Sequence, residues 1–201
     1  MPSNVMKALL VAAGTVVAWV PSLALAPPGE AEIVTMPAHE KQFTSPNGMI
    51  FSVGSRDETI NRIPPLNMMG TTREAFVSGT AYARLDGDAA GKLRMGYHVG
   101  CAVSIGTGTI GFQPEIIIAP QAFLNIGPVA VLDLGPGEVV EVPIREKELI
   151  PGKLVQVVVR DFHLRVDACS GPVTLRQYAY VDLATPEVDD SGAVFGDPSW
   201  L

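Results

Sequence analysis

Three histidines, two cysteines, a glycine-rich turn and a few paired acids are the residues of this 201-residue chain whose types could do chemistry. His39, His98 and His163 stand far apart, none with a second ligand at metal-binding spacing. No Gly-x-Ser-x-Gly elbow exposes a serine nucleophile. Gly106-Thr107-Gly108-Thr109-Ile110-Gly111 fits the G-x-G-x-x-G fingerprint, and Asp133 lies at a suitable distance for a ribose contact. That fingerprint works only where it opens a helix whose N-terminus receives a pyrophosphate. Here Phe112-Gln113-Pro114-Glu115 and three isoleucines follow, which is strand composition. Asp86 and Asp88, like Asp189-Asp190, lack the ligand spacing of a calcium loop. The sequence therefore predicts no catalytic residue, no cofactor and no metal. An enzyme would need a nucleophile brought beside His98 or His163.

Charge and the first residues narrow the setting. A formal net charge of −7 opposes nucleic-acid binding, which needs a basic face to displace phosphate counterions. Lys7, an apolar run to Val20, Pro21 and the small-x-small triplet Ala24-Leu25-Ala26 have the order of a secretory signal peptide over residues 1–26. The apolar run is shorter than the roughly 20 residues of a spanning helix. Export makes a disulfide between the two cysteines, Cys101 and Cys169, the expected use of both. Closing a loop of that length would stabilise the fold by roughly 4 kcal/mol in the chain-entropy picture.

The elements that must carry these residues read as strands. At 93–105 every odd position is apolar (Leu93, Met95, Tyr97, Val99, Cys101, Val103, Ile105), while the even ones include Arg94, His98 and Ser104. This is the pattern of a strand with one buried face, and it leaves His98 facing solvent. The phase flips at residues 106–109, so that Ile110, Phe112, Ile116 and Ile118 share a face opposite Gln113 and Glu115. A second apolar run covers 123–134, and the two are read as a ribbon that bends at the glycines and leaves the domain as a hairpin, residues 107–134.

Other strands are expected within 48–63, at 80–85, at 138–144, at 153–166 with a phase flip at Arg160-Asp161, and at 173–183. A turn precedes the strand at 80–85, a hairpin loop occupies 86–91, and Arg145-Glu146-Lys147-Glu148 forms a solvated loop. Residues 27–47 form a proline-rich arm or linker, and 185–201 an acidic, irregular tail. No helical period persists over ten residues. Seven to nine strands at such spacing define an all-β protein, most simply a β-sandwich over 48–184.

Four segments resemble the mycobacterial MspA porin family. Thr72-Arg73-Glu74-Ala75-Phe76-Val77-Ser78-Gly79 is similar to that family's Thr-Arg-Glu-Trp-Phe-x-Ser-Gly, with Ala75 in place of the tryptophan. Leu93-x-x-Gly96-Tyr97-x-x-Gly100, Leu175-Arg176-x-Tyr178-Ala179 and Gly196-Asp197-Pro198-x-Trp200 follow in the family's order. The resemblance implies an exported β-sandwich subunit that assembles with copies of itself into a ring in outer-membrane lipid. The protruding hairpin would contribute to an oligomeric barrel through which small hydrophilic solutes diffuse.

Two departures qualify it. The family's acidic constriction segment is replaced by Ala119-Pro120-Gln121-Ala122, and the hairpin tip is shorter. On the implied ribbon Gln113, Glu115, Asn125 and Asp133 are the expected pore-lining residues, Glu115 foremost because a ring of carboxylates favours cations. The alternative is a secreted or cell-wall β-sandwich that binds or builds and has lost the channel.

Overall fold

The computed structural model describes residues 32–103, 129–134 and 136–201, and among these it contains eleven strands and no helix. In chain order they are β1 (Glu32–Thr35), β2 (His39–Thr44), β3 (Ile50–Ile63), β4 (Arg73–Asp86), β5 (Ala90–Cys101), β6 (Val129–Asp133), β7 (Val139–Glu148), β8 (Leu154–Asp167), β9 (Val173–Ala184), β10 (Asp189–Phe195) and β11 (Ser199–Trp200). One sheet runs β1-β3-β4-β8-β6, with β2 also paired to β3. The other runs β10-β9-β5-β7, with β11 also on β9.

Alternation explains why these strands stack as two layers. Phe51 and Val53 on β3, Ala81, Ala83 and Leu85 on β4, and Leu93, Met95, Tyr97 and Val99 on β5 are all buried. Tyr82 and Arg84, between the inward residues of β4, are more exposed. Side chains two apart share a face, so each sheet presents one apolar side and the two sides close on each other. The result is the expected β-sandwich.

The core has two parts. One centres on Phe51, Leu85, Met95, Val157 and Val181, the other on Ile60, Val77, Tyr97, Leu164 and Leu175. Between them the first sheet bends. Pairing slips between Arg56 and Thr59 on β3 and between Val77 and Gly79 on β4, and Asp57 and Asp161 adopt positive φ at the same height. Aspartate tolerates that conformation better than most residues. The Ser78 hydroxyl accepts a hydrogen bond from the freed Asp161 amide at 2.9 Å. This is the phase flip read at Arg160-Asp161, and it keeps both Val155/Val157/Val159 and Leu164/Val166 inward.

Several local expectations are corrected. Residues of the proline-rich arm form β1 and β2, both hydrogen-bonded to β3. The region 48–63 holds one long strand, and of the turn expected over 71–79 the residues from Arg73 on are the first half of β4. The loop after Asp86 is no hairpin: β4 and β5 belong to different sheets, so it crosses the sandwich. The charged residues 145–148 extend β7 along the sheet edge. The acidic end pairs with β9 as β10 and β11 rather than trailing as a tail, because Val194 alternates into the core. The long strand of 93–105 ends at Cys101, and Val103 is exposed.

Candidate channel segment and its anchorage

Residues 104–128, which include most of the hairpin expected over 107–134, lie outside the described residues, and the sandwich fixes the chain on either side of them. The exit is clamped by backbone and disulfide. Cys101, the last residue of β5, is joined to Cys169 with Cα atoms 6.0 Å apart, and both are buried. The Val103 carbonyl accepts hydrogen bonds from the Ser170 and Gly171 amides at 2.9 and 3.0 Å. Ala102 donates to the Pro172 carbonyl, Cys169 to the Thr71 carbonyl and Gly137 to the Cys101 carbonyl. The turn between β8 and β9 thus holds the first sheet, the second sheet and the start of the excursion together.

The return corrects the expected boundary of the ribbon. Val129–Asp133, placed by sequence in the outgoing hairpin, is β6, the edge strand of the first sheet and parallel to β8. Leu132 and Leu134 are 6% and 2% exposed and pack with Leu164, Val166 and the disulfide. Burial of these two leucines outweighs any gain from extending the ribbon. A hairpin arm would leave one of its two faces in lipid, whereas here the even residues enter an existing core. Val131, on the other face, is 52% exposed.

Polar groups line the return. Val129 lies opposite His163, Val131 opposite Arg165 and Asp133 opposite Asp167. Glu74, from the Thr72-to-Gly79 segment, is 4% exposed in its side chain and contacts His163 Nε2 at 2.9 Å, with Arg165 at 3.9 Å. The Thr72 hydroxyl donates to Asp167 at 2.9 Å and accepts from Asn67 at 3.1 Å. Through these contacts the polar residues of that segment tie the start of β4 to the strand against which the excursion returns, which is a structural role.

The other motif residues pack. Gly96 leaves room for Tyr178, whose hydroxyl would lie 2.4 Å from a Cβ built there, and for the Val142 carbonyl at 2.2 Å. Tyr178 is buried although it sits on the outward side of β9, and burial raises its hydroxyl pKa. His98, expected to face solvent, lies among Tyr178, Tyr180 and Phe195 with ring centroids 5.0 to 6.4 Å away. Its side chain keeps 24% exposure.

Of the expected lumen residues, Gln113, Glu115 and Asn125 lie outside the described residues, as does Gly106-to-Gly111. The backbone of Asp133 belongs to β6 in the body. Cys101 and Cys169 are joined as expected. Among the described residues no group of three or more His, Cys, Asp or Glu is arranged to hold a metal. No described helix is long and apolar enough to cross a membrane, which leaves crossing by strands untouched. Sequence reading missed the anchoring role of Leu132 and Leu134. The signal was their even-numbered alternation with Ala130, opposite in phase to Val129 and Val131.

An all-β sandwich that clamps the chain on both sides of a long apolar insertion defines a class: a folded body with one large insertion in its sequence. The sequence profile of the MspA family matches residues 47–199, from the turn before β3 to the first residue of β11, and the chain belongs to that porin family. No curated protein matches the chain.

Proposed function

We propose that this chain is an exported subunit of a homo-oligomeric outer-membrane channel through which small hydrophilic solutes diffuse. The observation that carries the reading is the family match from β3 through β10, joined to an apolar insertion whose two flanks are held in the sandwich. Residues 104–128 are long enough for two barrel strands of about ten residues and a short turn. Gln113 and Glu115, with Asn125 on the return, face the lumen, and Ile110, Phe112, Ile116 and Ile118 face lipid. No enzymatic step enters this reading.

A second reading draws on the capture of β6 by the body. With 129–134 spent in the sandwich, less chain remains for the return arm than the sequence alone suggests, which favours a secreted or cell-wall binding or structural protein. Planar-bilayer recording on detergent-extracted protein separates the two. Stable, uniform conductance steps from a multimeric species are expected of the channel. A folded protein of single-subunit mass that leaves the bilayer silent would reject it in favour of the second reading.

A further inference from the structure

The seam between the two core clusters holds a titratable group that neither apolar packing nor a channel uses. Glu58 follows the positive-φ Asp57 in the β3 bulge and is 1% exposed. Neither of its oxygens has a close, well-aligned hydrogen-bond partner among the described residues, and the Tyr97 hydroxyl is the group that interacts with it. From β5 the Tyr97 hydroxyl faces it, accepting from Gln177 Nε2 of β9 at 3.5 Å. From β4 comes Gly79, which carries no charge. On its own strand, Arg56 and Asp57 pair with each other in solvent. The remaining neighbour is the chain end: a Cβ on Gly196 would approach Glu58 Oε2 to 3.0 Å, and Asp197 adds a negative charge.

Residues 196–201 form a strap across this seam. The Gly196 amide donates to the Gln177 carbonyl at 3.0 Å, and Arg176 Nε donates to the Gly196 carbonyl. Arg62 donates to the Ser199 hydroxyl at 3.2 Å, and the Leu201 amide to the Val173 carbonyl at 2.8 Å. Asp197 also lies 3.7 Å from His39 of β2, a pair that attracts only while the ring is protonated.

We infer that Glu58, facing Asp197 and Gly196, is a proton-operated latch, which seats the strap of residues 196–201 over the seam while Glu58 holds its proton and loosens it when that proton leaves. A neutral carboxyl is tolerated in the seam at modest cost, whereas a carboxylate there is cut off from bulk water with only the Tyr97 hydroxyl facing it. Loss of the Glu58 proton places two like charges, those of Glu58 and Asp197, together at the chain end. That change pushes the strap outward. The strap is the part that yields, because it is short and held by few bonds, whereas β3 is paired along both edges. The latch is independent of the channel reading.

Trp200 lies in the strap and is 60% exposed, and Trp19 is the chain's other tryptophan. In the full chain carrying Trp19→Phe, Trp200 emission and amide-exchange protection at Gly196 and Leu201 are followed from pH 5 to 9. A single transition with a midpoint near 7 is expected, because burial raises the Glu58 carboxyl from 4.5 to about 7. Protection should fall by about 100-fold over this range, tenfold for each pH unit between 5 and 7. Glu58→Gln, which preserves the neutral shape, should abolish the transition. Asp197→Asn, on a half-exposed residue, should lower the midpoint without perturbing the fold. Equal protection at pH 5 and 9, a transition unchanged in Glu58→Gln, or a midpoint unmoved in Asp197→Asn would each overturn the latch.

Discussion

Glu58 makes the stability of the whole domain depend on pH, and the direction follows from where its proton is held more tightly. Burial raises the carboxyl to about 7 from an ordinary 4.5, so the folded chain keeps the proton after the unfolded chain has released it. Stability from this group is therefore complete below about pH 4.5, declines as pH rises towards 7, and is flat above it, a total of roughly 3 kcal/mol. Urea unfolding at pH 4.5 and pH 8 should show this loss in the parent and lack it in Glu58→Gln; the same difference in both proteins would place the titration elsewhere. The residue hides well in the sequence. Arg56-Asp57-Glu58 reads as a solvated run, and only the β3 bulge turns Glu58 inward. The clue is that Phe51 and Val53 point inward at odd positions while Ile60 does so at an even one. The disulfide was legible for the opposite reason, since an exported chain with two cysteines leaves a single intramolecular pairing.

Among the elements, β6 carries the clearest mechanical role. It converts the end of an apolar run into an anchor, with Leu132 and Leu134 seated beside the disulfide. Leu132→Ala should cost about 2–4 kcal/mol through lost burial and the cavity left behind. It should also free the β6 amides to exchange before the rest of the sheet, as hydrogen exchange would reveal. If β6 amides keep their protection relative to those of β8, the strand is held by something other than its leucines. Of β4 only residues 80–85 read as strand, whereas the long strands β5, β8 and β9 were readable because each alternates over ten or more residues, β8 with one phase flip. β1, β2, β10 and β11 were not. They are short, mostly polar strands that bury few side chains, Val194 of β10 being one, and they pair with the backbone edges that β3 and β9 leave open.

For the whole molecule, the consequence of interest belongs to the assembly. In the proposed channel one Glu115 per subunit would form a ring of carboxylates, and such a ring prefers cations. Glu115→Gln should shift the reversal potential in a salt gradient towards the non-selective value, with conductance steps retained. An unshifted potential would take Glu115 out of the lumen.

The sequence by itself determined the all-β class, the buried faces of the long strands, the pairing of the two cysteines and the family. All of these rest on local alternation, composition or an unambiguous count. The tertiary structure alone decided which strands share a sheet, that the loop after Asp86 crosses the sandwich, that β6 rejoins the body in parallel with β8, and that Glu58 is buried. Each depends on contacts between residues far apart in the chain, where the free energy of burial is settled by which partner is present rather than by the residue's own neighbours.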